Sequence, residues 1–232
     1  MATIIEMTDY TLAPRGTGDG IHRFYFSLSE GNVCAIESPN PDDANAFLRA
    51  VATLNRPVQG NYRYKGRRID LKSYEQMLRC KPKIGYIAPD ASLISNLTVR
   101  QNFLLKRYYF ENNLHIDLDD NLRSICDTLG ISSKLDKRPA GLNSLEARMA
   151  IVIREISKKP QVLLLDRPEE FIGHDKFDIL VDIFGDWIAK KKPVVFFSYD
   201  RRFIRRYANR KILIANGVLT TTDLKRAVND RQ

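Results

Sequence analysis

Residues 33–54 read VCAIESPNPDDANAFLRAVATL, and this stretch decides the fold. Val33 to Ile36 are four consecutive apolar residues, the mark of a buried strand. A turn rich in Pro, Asn and Asp follows. Phe47, Leu48, Val51 and Leu54 then recur at helical spacing. The start of that helix is chemically self-sufficient. Asn40 is a favoured N-cap, Pro41 suits the first helical position, and Asp42 and Asp43 lie where the helix dipole favours negative charge. Asp43, three residues after Asn40, is placed to close a variant of the capping box.

Strand, turn, helix is also the setting of the phosphate-binding P-loop, G-x-x-x-x-G-K-[ST]. In that loop small residues let backbone N–H groups wrap phosphates, a Lys neutralises them and a hydroxyl holds Mg²⁺. Here Ser38 stands at the first Gly, and Pro41, which has no N–H to give, at the next. Asp43 takes the third Gly position, Ala44 replaces the Lys and Asn45 replaces the Ser/Thr. At a surface-like dielectric, a like-charge pair about 4 Å apart loses roughly 4 kcal/mol before screening. Two carboxylates facing a polyanion, with no Lys, therefore favour the self-capped helix over a working phosphate site.

Outward from this stretch, 232 residues suffice for one large domain or a core with a small subdomain. No apolar run approaches the ~18 residues of a membrane span. MATIIEMTDY lacks a basic segment followed by an apolar one, so no signal peptide is expected. Cys34, Cys80 and Cys126 are scattered and odd in number, which fits a reducing cytosol, and the three histidines are too far apart to suggest a metal site. The net charge is +9, with much of the excess in Lys190–Lys192, Arg201, Arg202, Arg205, Arg206, Arg210 and Lys211. Such a face meets nucleic acid, an anionic membrane or an acidic partner, or is simply a solvated helix face.

Residues 3–12, 22–29 and 61–64 read as strands of an antiparallel layer. Ile84–Ile87 is a further short strand. The stretch from Leu97 to Leu129 is helical in pattern, with Leu118, Leu122, Ile125 and Leu129 on one face and Gly130 as a stop. Residues 142–157 form another helix, opening at Asn143 with Glu146 three residues on. VLLLD (162–166) and VVFFS (194–198) are continuous apolar runs of the parallel-sheet kind, flanking a helix over 175–190. KILIANGVLT is a hairpin turning at Asn216-Gly217. No repeat or linker interrupts the chain, so residues 1–232 read as one domain.

In this order the elements resemble the nucleotide-binding domain of the ATP-binding cassette (ABC) transporters, over about residues 3–222. FSLSEGNVCAIESPN (26–40) looks like the strand entering that family's P-loop, and RPVQGNYRYKGRRI (56–69) like its P-x-x-G segment. IGYIAPDASLISNLTVRQNF (84–103) looks like the Q-loop followed by an L-T-V-x-x-N helix start. RPAGLNSLEARMAIVIREISKKPQVLLLDRP (138–168) aligns without gaps from signature to Walker B. VVFFSYD and NRKILIANGVL match the switch strand and closing hairpin. The resemblance implies an α/β fold: a P-loop ATPase core of mostly parallel sheet covered by helices, with an antiparallel β layer and a small helical subdomain. Core residues would be 1–94 and 150–232, and the subdomain about 95–149.

The positions that carry the family's chemistry depart one after another. Besides Ser38, Asn40, Pro41, Asp43, Ala44 and Asn45 in the loop, Pro89 stands at the Q-loop Gln. LSGGQ becomes Leu142-Asn143-Ser144-Leu145-Glu146. Asp166 remains, but Arg167 occupies the place of the carboxylate that polarises water, and a guanidinium stays protonated and cannot act as a base. Tyr199 replaces the switch His, and there is no clear aromatic near Ala13-Pro14 to stack adenine. Arg167 is expected to bridge to Glu169, Glu170 or the Asp42/Asp43 pair.

The resemblance therefore implies a degenerate cassette subunit of a membrane transport complex, structural or regulatory, with no catalytic residues. No cofactor is expected, Mg-ATP being the one candidate should the altered site still bind it. A membrane (permease) subunit would dock at Pro89–Asn102, and the chain would form a homodimer or heterodimer with another ABC ATPase subunit at the cytoplasmic face. Two other readings stay open: an active ABC ATPase with an atypical site, and a soluble basic module for anionic lipid or nucleic acid. For nucleic acid, Phe203 and Tyr207 are spaced to pack inward and leave no stacking platform.

Overall fold

The computed structural model describes residues 2–111 and 116–224, with backbone only for 174–176. Ten strands and eight α-helices follow one another along these residues. They are β1 (Thr3–Leu12), β2 (Ile21–Ser29), β3 (Val33–Glu37), α1 (Pro41–Val51), β4 (Gln59–Tyr64), β5 (Arg67–Ile69), α2 (Tyr74–Met77), β6 (Ile84–Ile87) and α3 (Val99–Glu111). Then come α4 (Asp120–Thr128), α5 (Ser144–Ser157), β7 (Val162–Asp166), α6 (Pro168–Ile172), α7 (His174–Ala189), β8 (Val194–Phe197), α8 (Arg201–Tyr207), β9 (Arg210–Ala215) and β10 (Val218–Asp223).

The strands form two sheets. β2-β1-β4-β5 is wholly antiparallel, and it includes β5, which the sequence reading did not separate from its turn. The second sheet runs β10-β9-β3-β8-β7-β6, parallel except for the β9–β10 hairpin. The apolar runs VCAI, VLLLD and VVFF are thus central or near-central strands covered on both faces. Alternate residues of β3 show this directly. Val33 and Ala35 face the core under α3, α5 and α7, whereas Cys34 and Ile36 face α1 and the antiparallel sheet. Asn216 and Gly217 take φ of 51° and 73°, the two positive values a type I′ hairpin turn requires. His22 N–H donates to Gly217 O at 2.8 Å, joining the hairpin to β2.

The helical stretch expected from Leu97 to Leu129 is two helices. Residues 112–115 lie outside the described residues. Asp119 starts α4 afresh by accepting from Leu122 N at 2.9 Å, so Leu118 and Leu129 are buried just beyond the ends of the helix they were expected to share. In the C-terminal third, Phe203 of α8 is ringed by Phe196, Tyr207, Phe177 and Phe184 at centroid distances of 4.7, 5.3, 5.5 and 6.5 Å. Phe203 and Tyr207 are buried as their spacing requires, and Arg201, Arg202, Arg205 and Arg206 line the exposed side of the same helix. Among the described residues no helix is long and apolar enough to cross a membrane.

Candidate functional site

In an open parallel sheet, ligands meet the chain beyond the carboxyl ends of the strands. Here those ends bring together the turn before α1, Asp166 at the end of β7 with Arg167 after it, and Ser198-Tyr199 after β8. Asn40 caps α1, its Oδ1 accepting from Asp42 N at 3.0 Å, with Pro41 at the first helical position. Ser38 Oγ donates to Asn40 O at 2.8 Å, closing the turn on itself.

The first-turn carboxylates have partners of their own. Asp42 Oδ2 accepts from Thr17 N at 2.8 Å and Thr17 Oγ1 at 2.9 Å, while Asn40 Nδ2 donates to Thr17 O at 2.6 Å. The amide of Thr17, then its hydroxyl, then the charges of Arg15 and Arg167 hold the Asp42 carboxyl below its ordinary range. Asp43 is buried and accepts from Gly20 N at 3.1 Å and Asp19 N at 3.3 Å. This corrects the capping-box expectation: Asp43 does not reach back to Asn40. Its carboxylate is turned to the amides of residues 19 and 20, in the loop between β1 and β2.

Asp166 ends β7 with 0% exposure. A buried carboxylate is tolerated only when hydrogen-bonded and charge-paired. Asn45 Nδ2 donates to its Oδ2 at 2.7 Å and Arg167 Nε to its Oδ1 at 3.2 Å. Asn45 Nδ2 also lies 3.3 Å from Tyr86 Oη, whose phenol is pushed up by burial and then by the Asp166 and Asp90 charges. Arg167 sits in the left-handed region at φ 46°, ψ 59°, a sharp turn that releases the chain from β7 into α6. Its second ion pair is with Glu170 at 3.3 Å. Of the bridges expected from Arg167, the one to Glu170 forms, whereas Asp166 takes the place of Glu169 and of Asp42/Asp43. The loop between β1 and β2 already occupies the α1 carboxylates, and Glu169 is turned the other way. Buried in the first turn of α6, Glu169 accepts from Ser198 Oγ at 2.8 Å and Tyr199 N at 2.5 Å, tying α6 to the end of β8. Tyr199 itself is 53% exposed, its ring against Phe197.

Asn143, Ser144 and Pro89 are not hydrogen-bonded to this group among the described residues. Ser144 is exposed as the first residue of α5, and Pro89 is exposed in the turn after β6. Asn143 and Glu146 form the capping box read from the sequence. Glu146 N donates to Asn143 Oδ1, and Asn143 N to Glu146 Oε2, each at 2.9 Å. The Asn143 amide, then Lys134 at 2.9 Å, hold the Glu146 carboxyl below its ordinary range. Asn143→Ala should cost about 1 kcal/mol of stability, read as a lower urea midpoint in circular dichroism. An unchanged midpoint would mean that the box does not contribute to the start of α5.

The sequence reading missed Thr17, Asp19, Gly20 and the role of Glu169. The run Gly16-Thr17-Gly18-Asp19-Gly20 signals a loop, but nothing in its pattern says what that loop folds against. No group of three or more His, Cys, Asp or Glu among the described residues is placed to hold a metal ion.

Comparison with known proteins adds three findings. The sequence profile described as ABC transporter matches residues 21–170. The chain is 22% identical over 214 residues to octopine permease ATP-binding protein P of Rhizobium radiobacter, covering 88% of this chain and 82% of that one. It is also 22% identical over 209 residues to a putative hemin import ATP-binding protein of Staphylococcus haemolyticus, covering 87% and 93%. Among solved structures, the dimeric bacterial ABC transporter cassette MJ0796 superposes with a TM-score of 0.78 at 16% identity, over 96% of this chain and 99% of that chain. A post-hydrolysis state of the same cassette, bound to ADP and Pi, superposes equally well.

Proposed function

The chain belongs to the ABC transporter family, and on that premise we propose that it is a cassette subunit of a membrane transport complex that neither hydrolyses ATP nor holds it tightly. The observation that carries this reading is the closure around Asp166. Both of its oxygens are taken by side chains of the chain itself, Asn45 and Arg167, in a fully buried position. Mg-ATP, the group the family implies, does not fit these residues. Ala44 supplies no cation, Asn45 supplies no hydroxyl, and Arg167 brings a fixed positive charge where phosphoryl transfer from ATP to water needs a group that orients the attacking water. The role that fits is architectural or regulatory.

Calorimetric titration with Mg-ATP at about 0.1–1 mM, alongside thermal unfolding, tests this. A ligand at 100 times its Kd stabilises by about 2.7 kcal/mol, so micromolar binding would be evident as a raised Tm. No heat and an unchanged Tm are expected. Saturable micromolar binding would overturn the reading, and turnover abolished by Asp166→Asn would replace it with an active ATPase.

The partner reading places a permease subunit against Pro89–Asn102, at the cytoplasmic face of the membrane, beside a helical subdomain of about residues 95–149. Asn102, 1% exposed, supports it by ordering that segment. Asn102 Oδ1 accepts from Ile94 N at 2.8 Å, and its Nδ2 donates to Ile94 O at 3.1 Å and Thr98 O at 3.0 Å. An apolar groove of about 300 Å³ lies alongside, with Tyr74, Leu78, Leu105, Tyr109 and Phe110 in its wall. The dimeric state of the similar cassette supports pairing of this chain with itself or with another ABC ATPase subunit.

A further inference from the structure

The loop between β1 and β2 reads Arg15-Gly16-Thr17-Gly18-Asp19-Gly20 and lies across the first turn of α1. Glycine-rich loops and helix N-termini are the two backbone devices that gather N–H groups around an anion. In this chain they face one another, and the anions between them are built in. Thr17 N and Oγ1 converge on Asp42, and Asp19 N and Gly20 N converge on Asp43. Asn40 adds the return bond to Thr17 O. The approach is close enough to require glycine. A Cβ at Gly16 would run into the Asp42 carboxylate, and one at Gly18 into that of Asp43. Gly16 also takes φ of 58°, whereas Gly18 is restricted by this contact and by Arg15 O, which would lie 3.1 Å from such a Cβ. Four bonds from three loop residues to two carboxylates, one of them buried, exceed what a helix start needs to cap itself.

We propose that residues 15–20 and the Asp42–Asp43 pair form an autoinhibitory latch: an anion cradle filled by the chain's own carboxylates, which closes the N-terminus of α1 to any outside polyanion and fastens the β1–β2 hairpin to α1 without a ligand. This rests on the nucleotide-free reading of the same turn and gives it a physical cause. Loss of the P-loop Lys removes an attraction. The latch also fills the cradle, so that restoring the Lys alone does not restore binding.

Two measurements test it. Amide hydrogen exchange on the native chain should find Thr17, Asp19 and Gly20 protected. In Asp42→Ala/Asp43→Ala that protection should fall at least about tenfold, the factor for 1.4 kcal/mol, with the amides of β3 and β8 unchanged. Gly18→Ala should do the same with both carboxylates in place. Free-peptide exchange of these amides in the native chain would overturn the proposal. Sodium triphosphate is the second probe. Ala44→Lys/Asn45→Thr, which keeps the latch, should bind it at least about tenfold more weakly than the same chain also carrying Asp42→Gly/Asp43→Gly. Equal affinity of the two variants would show that the carboxylates do not gate the site. Mg-ATP binding to the native chain with the loop amides still protected would sink the nucleotide-free reading and also the gate. Binding that strips their protection would sink that reading but leave the latch as its gate.

Discussion

Arg167→Ala is expected to lower the unfolding free energy by about 3 kcal/mol and the Tm by roughly 6–12 °C. The residue holds one oxygen of Asp166, a carboxylate with 0% exposure. Without the guanidinium that oxygen has no donor among the described residues, and Asn45 remains on the other. Breaking a buried ion pair by removing one partner costs about 3–5 kcal/mol. The lower end applies because the Arg167 side chain is itself 28% exposed. The backbone adds nothing to this difference, because Arg and Ala alike pay about 1–2 kcal/mol for the left-handed region at φ 46°. Arg167→Gly loses the same ion pair but adopts that φ freely. It should recover about 1 kcal/mol relative to the Ala variant. Urea denaturation of the three chains checks this. An Arg167→Ala midpoint equal to that of the native chain would remove the pair from the account of the site, and the closure around Asp166 would no longer argue against Mg-ATP.

Phe203→Ala is expected to cost about 3–5 kcal/mol, the range for deleting a fully buried aromatic side chain. The cost falls at the upper end if the cavity stays open, and four surrounding rings on two helices and one strand leave little that can collapse into it. On the solvent side of the same helix, Arg205→Gln should change stability by less than about 0.5 kcal/mol. The contrast distinguishes a helix held by its aromatic face from one held by its charges. A small effect of Phe203→Ala with a large effect of Arg205→Gln would reverse that assignment.

The fold was legible because its central strands carry their burial in their composition. VLLLD and VVFF have no polar face, so they had to be covered on both sides. Asn216-Gly217 named its own turn, and Asn143 with Glu146 named the start of α5. The helical stretch over 97–129 was misjudged because its apolar spacing runs across a break that Asp119 restarts. The site was legible by position and not by contact. Asp166, Arg167, Asn45 and the Asp42/Asp43 pair were all singled out, but their partners were not. Asp42 and Asp43 find theirs in residues 17–20, and Glu169 finds its partners in Ser198 and Tyr199. Periodicity reports which face of an element is buried. It carries no information on which distant loop lends its amides to a carboxylate.

The position of β3 at the centre of the parallel sheet has a consequence for how the chain is made. β3 pairs with β8 on one side and β9 on the other, Val33 opposite Val194 and Ile36 opposite Ile212. Strand pairings this distant in sequence are slow to form, because a long loop must close before they are rewarded. During synthesis the apolar VCAI segment therefore emerges early and waits with both edges open until residues 194–215 have followed it. Any nascent or truncated chain that stops before β8 exposes that strand, a ready template for intermolecular pairing. The element that organises the finished molecule is thus also its main liability before completion.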